Sequence, residues 1–122
     1  MDPQPRTIPV TNDCLFCRIA RGDIPAAFVT ETDDAVAFRD INPQAPLHVL
    51  VIPRKHVDSL ATADDPALLG SLMALAARIA KEQGFAESGY RTVINTGPDG
   101  GQSVAHLHVH VLAGRHLDWP PG

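Results

Sequence analysis

The chain lacks any apolar run approaching the roughly 20 residues that a membrane-spanning helix needs. Its opening, MDPQPRTIPVTND, lacks the basic-then-apolar pattern of a secretory leader. Both absences point to a soluble, cytoplasmic protein with no membrane partner. Positive charge is not in excess either: 10 basic against 14 acidic residues leave a formal charge of -4. That is the wrong sign for a protein that grips nucleic acid by neutralising phosphates. Cysteine is scarce. Cys14 and Cys17 alone cannot build the disulfide framework of a small secreted domain, and in a reducing compartment their C-x-x-C spacing points to metal or redox chemistry. With 122 residues there is chain enough for one ordinary core and too little for two.

What is present reads as one α+β domain behind a tail. Residues 1–12 hold Pro3, Pro5 and Pro9 with almost no apolar periodicity, the pattern of a flexible segment. DCLFCRIARG reads as a short helix with Asp13 as N-cap, Leu15, Phe16 and Ile19 as its apolar positions, and Gly22 past its end. Strand-like runs follow at AAFVTE, AVAFRD and LHVLVIPR, parted by the turn-forming clusters TDD and NPQAP, and suggest an antiparallel meander. The stretch from Asp64 to Gly84 predicts a long amphipathic helix, with Pro66 in its first turn, Leu68, Leu72, Leu75 and Ile79 on one face, and Gly84 as its stop. YRTVINT and HLHVHVL read as two further strands, joined by GPDGGQSVA, which is too long and glycine-rich for a minimal hairpin turn. The long helix is expected to cover one face of the sheet.

Three of the six histidines, His106, His108 and His110, fall on alternate positions of one apolar run. On a strand they would project to one side while Leu107, Val109 and Val111 pack on the other. The alternative is a solvated strand face with incidental histidines. One metal ion bound by all three is disfavoured, because the outer Cα atoms would lie about 13 Å apart at a rise of ~3.3 Å per residue. The histidines should therefore divide their duties. GPDGGQS, just before them, offers flexible backbone N–H groups, the Gln102 amide and the Ser103 hydroxyl as donors to an anion such as phosphate. A neutral imidazole attacks phosphorus well when its other nitrogen is held as a donor, and the central His108 is best placed for that.

HLHVHVL has the His-x-His-x-His-x-x form, each x apolar, of the histidine triad (HIT) family of nucleotide hydrolases and transferases, which the chain resembles from about residue 13 to 122. DCLFCRIARGDIPA, AFRDINPQAPLHVLVIPRKH, INTGPDGGQSVAHLHVHVLAGR and the closing DWPPG all carry the likeness. AGR followed by WPPG is similar to the Hint branch, the purine nucleoside phosphoramidases, and the C-x-x-C marks its bacterial type. The resemblance implies a HIT domain over 13–122 with WPPG as a C-terminal extension, a five-stranded antiparallel sheet with one long and one short helix, and a homodimer forming a ten-stranded sheet. It implies that His108 attacks the α-phosphorus to give a nucleotidyl-histidine intermediate that water cleaves. Asn95, Gly101, Ser103 and His110 would surround the phosphate with Gln102 beside them, Ser103 and His110 serving catalysis with His108. Asp40 would hold the ribose, and Phe16, Ile19, Ile24, Phe38, Ile41 and Leu50 would line the base and ribose pocket. His48 would border the phosphate, and Trp119 to Gly122 would reach towards the partner subunit. Read without the resemblance, Phe16 and Leu50 fit ordinary core, Asp40 a turn, His48 a structurally satisfied histidine and WPPG a stiff exposed terminus.

For the cysteines, the resemblance implies a zinc site of Cys14, Cys17, His56 and His106, a closed tetrahedral shell that supports the fold without activating water. The metal-free alternative is a redox-active C-x-x-C, although a proline-rich tail precedes it where a thioredoxin-like motif has a strand. No organic cofactor is expected. His116 carries no evident role. The leading functional expectation is cleavage of the P–N bond of a purine nucleoside 5'-phosphoramidate, releasing the nucleoside monophosphate. The alternatives are a dinucleoside polyphosphate hydrolase and a nucleotide-binding regulatory scaffold with incidental activity.

Overall fold

A computed structural model describes residues 14–122; the tail read over residues 1–12, and Asp13, lie outside the described residues. The element order is α1 (Leu15–Arg21), β1 (Phe28–Glu31), β2 (Ala35–Arg39), β3 (Leu47–Pro53), a short 3-10 turn (Leu60–Thr62), α2 (Pro66–Glu82), β4 (Tyr90–Val93) and β5 (Val109–Ala113). The strands form one antiparallel sheet in the order β1-β2-β3-β5-β4. The first three strands are the expected meander. β5 then inserts between β3 and the edge strand β4, so the strand nearest the histidines has a hydrogen-bonded neighbour on each side.

Alternation along the central strands builds two apolar layers, one on each sheet face. Ala35 and Ala37 of β2, Leu47, Val49 and Val51 of β3, and Val109, Val111 and Ala113 of β5 face α2, which contributes Leu72, Leu75, Ala76, Ile79 and Ala80. Each large aliphatic group sealed there contributes about 1.5–3 kcal/mol. The intervening residues Val36, Phe38, Leu50 and Ile52 face the other way and pack with Phe16 and Ile19 of α1. β3 is buried along its entire length because it is covered on both sides.

The long helix starts where expected, with Asp65 accepting from the Ala67 and Leu68 N–H groups, Pro66 at the first helical position, and Gly84 beyond the end at φ 91°. Its buried stripe is shifted at the N-terminal end: Leu68 is only half-buried, and Leu69 packs on the core instead. Two other expectations are corrected. The N-cap of α1 is Cys14, whose sulfur accepts the Cys17 N–H at 3.4 Å, because the chain becomes helical one residue later than a carboxylate cap at Asp13 requires. β5 begins at Val109, so His106 and His108 precede the strand; a bend over Val104 to His106, with the His106 N–H returning to the Val104 carbonyl at 2.8 Å, keeps this stretch off the ladder.

Candidate active site and metal cluster

The alternation of the triad survives this bend. Leu107, Val109 and Val111 enter the α2-side core while the histidines lie on the α1 side, where the Phe16 ring meets both His106 and His108 edge-on. The histidines do not form a solvated face: His106 is 0% and His108 4% exposed. Such burial obliges each ring to find partners, and the partners fix where its protons sit.

His108 Nδ1 lies 2.8 Å from the His106 carbonyl. A carbonyl only accepts, so Nδ1 carries the proton and Nε2 keeps its lone pair. His48, on β3, accepts the Gln44 N–H on Nδ1 at 3.0 Å. Its neutral ring therefore carries the proton on Nε2, which lies 2.9 Å from His110 Nδ1. His110 accepts there and turns out an Nε2–H. The result is a nucleophile-ready nitrogen on His108 beside a donor on His110, their ring centroids 5.0 Å apart. Burial, then proximity to His108 and His48, lowers His110 from the ordinary 6.5 to about 4, against the opposing pull of Asp40. Burial lowers His48 too, with Asp40 again opposing. Both rings are thus neutral at pH 7.

The turn reading of Asp40 holds, and only one of its two carboxylate oxygens serves it. Oδ1 accepts the Asn42 N–H at 2.8 Å and closes a turn, while Oδ2 lies 3.5 Å from His48 Nε2. Phe38 and Leu50 are buried beside Phe16 and Ile19, with Ile24 partly buried against them. Ile41 departs from the expectation of a pocket wall. It is 101% exposed, because the Asp40 turn swings the backbone away from the sheet directly after β2. Trp119 stands 81% exposed.

Between β4 and β5, residues 97–101 form a tight turn that places Gly97 and Gly101 at φ 72° and 78°. Gly100 passes so close to Thr96 that a Cβ there would meet its carbonyl oxygen at 2.3 Å. Asn95 and Ser103 flank the turn, and neither side chain has a hydrogen-bond partner among the described residues. Open grooves lie on either side of Ser103, one of about 360 Å³ against Cys14, Leu15 and Asp58 and one of about 560 Å³ against Gly97, Gln102 and Ala105. Gln102 is a correction. Its Nε2 donates to the Asp58 and Val104 carbonyls at 2.7 and 2.9 Å, and its Oε1 accepts the Gly97 N–H at 3.0 Å. Its donors are spent bracing the loop and do not point at an anion.

The second constellation shares His106 with the triad. Cys14, Cys17, His56 and His106 bring their donor atoms within 4.8 Å of one another. Cys14 Sγ lies 3.3 Å from His106 Nδ1, and Cys17 Sγ lies 3.2 and 3.5 Å from Nδ1 of His56 and His106. Each ring turns its other nitrogen to an acceptor, His106 Nε2 to the Pro53 carbonyl at 2.9 Å and His56 Nε2 to Asp58 Oδ1 at 2.7 Å. That arrangement keeps the proton on Nε2 and the lone pair on Nδ1, the state and the outer support that a metal-ligating histidine has. Burial also lowers His106 to about 4. With no cation, burial, a hydrogen bond with Cys14 and repulsion from it push the Cys17 thiol to about 11. A divalent cation would reverse that shift, and two sulfurs with two imidazoles form the closed tetrahedral shell suited to zinc. Sequence reasoning missed Asp58, whose only signal is a His-x-Asp spacing after His56, and missed the backbone partners at Gln44 and Pro53, which have no sequence signal.

Comparison with known proteins places the geometry in context. The HIT domain family matches residues 21–117. An uncharacterised HIT-like protein of Synechococcus elongatus is 54% identical over 115 residues, 93% of this chain and 100% of its own. A 14 kDa zinc-binding protein of Zea mays is 48% identical over 112 residues, 88% of this chain and 87% of its own. The crystal structure of a HIT family hydrolase from Legionella pneumophila superposes with a TM-score of 0.88 at 47% identity, covering 90% of this chain and 100% of that one.

Proposed function

The chain belongs to the HIT domain family, and from that membership we propose that it is a nucleotide hydrolase of the Hint branch, cleaving the P–N bond of purine nucleoside 5'-phosphoramidates. One observation carries the reading: His108 holds its proton on Nδ1 against the His106 carbonyl, so that Nε2 presents a lone pair beside the donor nitrogen of His110. In the proposed reaction Nε2 of His108 forms a bond to the α-phosphorus as the P–N bond to the amine breaks. Water then cleaves the nucleotidyl-histidine bond, releasing a nucleoside monophosphate and restoring the ring. His110 Nε2–H, the Ser103 hydroxyl, the Asn95 carboxamide and the Gly101 backbone hold the phosphate oxygens. Asp40 takes the ribose hydroxyls, with His48 behind it. Phe38 and Ile24 form the wall of the base pocket, and Ile41 is its exposed lip.

Cys14, Cys17, His56 and His106 would hold one zinc ion, a reading supported by their donor chemistry and by the zinc-binding name of the maize relative. When bound, the ion joins α1 to the segments before β5 and after β3. Two free thiols suit a cytoplasmic setting, and no helix among the described residues is long and apolar enough to cross a membrane. In the proposed homodimer, sheets join edge to edge, β1 and β4 being the edges available. The test is release of amine from a fluorogenic adenosine 5'-phosphoramidate, with a dinucleoside polyphosphate alongside. We expect the phosphoramidate to have the higher kcat/KM, and His108→Ala and His108→Gly to lose at least about 100-fold in kcat while AMP binding survives. Preference for the polyphosphate would move the assignment to that activity, and a merely modest loss in the variants would remove His108 as nucleophile.

A further inference from the structure

The segment after β3 and the segment leading into β5 are joined at three points. The Pro53 carbonyl accepts from His106 Nε2 at 2.9 Å, the Val57 carbonyl from the Leu107 N–H at 2.7 Å, and the Asp58 carbonyl from Gln102 Nε2 at 2.7 Å. Each segment also supplies one histidine of the cluster, His56 from the first and His106 from the second. The Asp58 contact differs from the others because it leads away from the cluster. Asp58 holds the His56 ring with its carboxylate and Gln102 with its backbone carbonyl. Gln102 then fixes the Gly97 N–H with Oε1, and its own N–H returns to the Gly97 carbonyl at 3.1 Å. A continuous path runs from the Cys17 sulfur through His56, Asp58 and Gln102 to the backbone of the glycine loop.

We propose that Asp58 and Gln102 are positioning residues that make the shape of the loop from Gly97 to Ser103 depend on a filled Cys2His2 cluster. A cation on Nδ1 fixes the orientation of the His56 ring. The ring's Nε2–H then fixes the Asp58 side chain, and with it the direction of the carbonyl that Gln102 grips. Without the cation, His56 is tethered to Cys17 only by a weak thiol contact at 3.2 Å. The Asp58 side chain is 67% exposed and has solvent to turn to. Gln102 would then keep Val104 but lose its hold across segments. The loop tolerates little drift, since Gly100 already packs against Thr96 with no room for a Cβ. The cluster thus sets the grip on phosphate without touching the nucleotide, a role that rests on the loop being the phosphate site.

The path predicts an effect on phosphate binding that leaves nucleoside binding alone. Zinc-loaded protein, Asp58→Ala, Gln102→Met and the double variant would be titrated calorimetrically with AMP and with adenosine at saturating zinc. Each single variant should lose about fivefold to tenfold in AMP affinity, the worth of a hydrogen bond, with adenosine unchanged. The double variant should lose no more than either single one, because both interrupt the same path. Additive losses, or equal losses for adenosine, would overturn the proposal. Hydrogen exchange of the loop amides in wild-type protein, before and after zinc removal, separates it from the phosphate reading. If AMP binds no tighter than adenosine, the phosphate site is wrong, yet faster exchange of Gly97 and Gln102 relative to β5 still upholds the linkage. Unchanged exchange there overturns it.

Discussion

Both ring nitrogens of His48 are committed, one accepting from the Gln44 backbone and the other facing His110. Its contribution is therefore to the tautomer of its neighbour. His48→Phe keeps the ring volume but removes the Nε2–H, so His110 is free to place its proton on the inner nitrogen. We expect kcat to fall about 10-fold to 100-fold, the usual effect of losing an orienting partner, with KM little changed. Steady-state kinetics with circular dichroism as a fold check measures this; unchanged kcat in folded protein would refute the tautomer argument. The residue scale is also where the sequence is least legible. The types of His48, Gln102 and Ser103 announce donors and acceptors, but only the fold decides which partners they meet. Gln102 shows the difference: its amide suits an anion, and its actual neighbours are three backbone groups of its own surroundings.

At the scale of elements, α1 is seven residues long, shorter than an isolated helix can sustain. It is held by Phe16 and Ile19 on one side and by its two cysteines on the other. Zinc in the cluster would therefore be part of the helix's stability. Elemental analysis should give about one zinc per chain in wild type and almost none in Cys17→Ala, whose Tm should fall by at least about 5 °C. A variant of unchanged Tm would show that apolar packing alone keeps α1 in place. Local chemistry made most elements readable. Asp65, Pro66 and the apolar stripe mark α2, and alternation marks the central strands. The departures at the α1 cap and at the start of β5 have physical sources. A cysteine sulfur capped α1 where oxygen-bearing caps are the usual signal, and the side-chain alternation of the triad runs on through a bend that has left the ladder.

For the whole molecule, the buried neutral histidines link stability to pH. His106 and His110 are lowered from 6.5 to about 4, and His48 is lowered in the same direction. Unfolded chains take up protons on these rings near pH 6.5, while the folded protein resists until about pH 4. Their contribution to stability is therefore complete above pH 6.5 and is lost progressively as the pH falls towards 4. Thermal melts across this window should show Tm falling with acidification. A flat profile would mean that the rings are charged or solvated in the native state. The sheet order was not legible, because nothing in YRTVINT or HLHVHVL says that β5 lies inside β4. Recurrent turn chemistry told where strands end, and only the closed sheet tells which strand is enclosed.

That enclosure has a consequence for how the protein fails. β5 is laced to β3 on one side and β4 on the other, and β3 is sealed on both faces. The strand bearing His110 and the strand bearing His48 thus belong to the last part of the molecule to open, out of reach of a protease until the whole sheet comes apart. The orientation that His48 imposes on His110 is then lost only with the sheet itself, whereas His108 and the glycine loop lie outside the strands and are free to fail first.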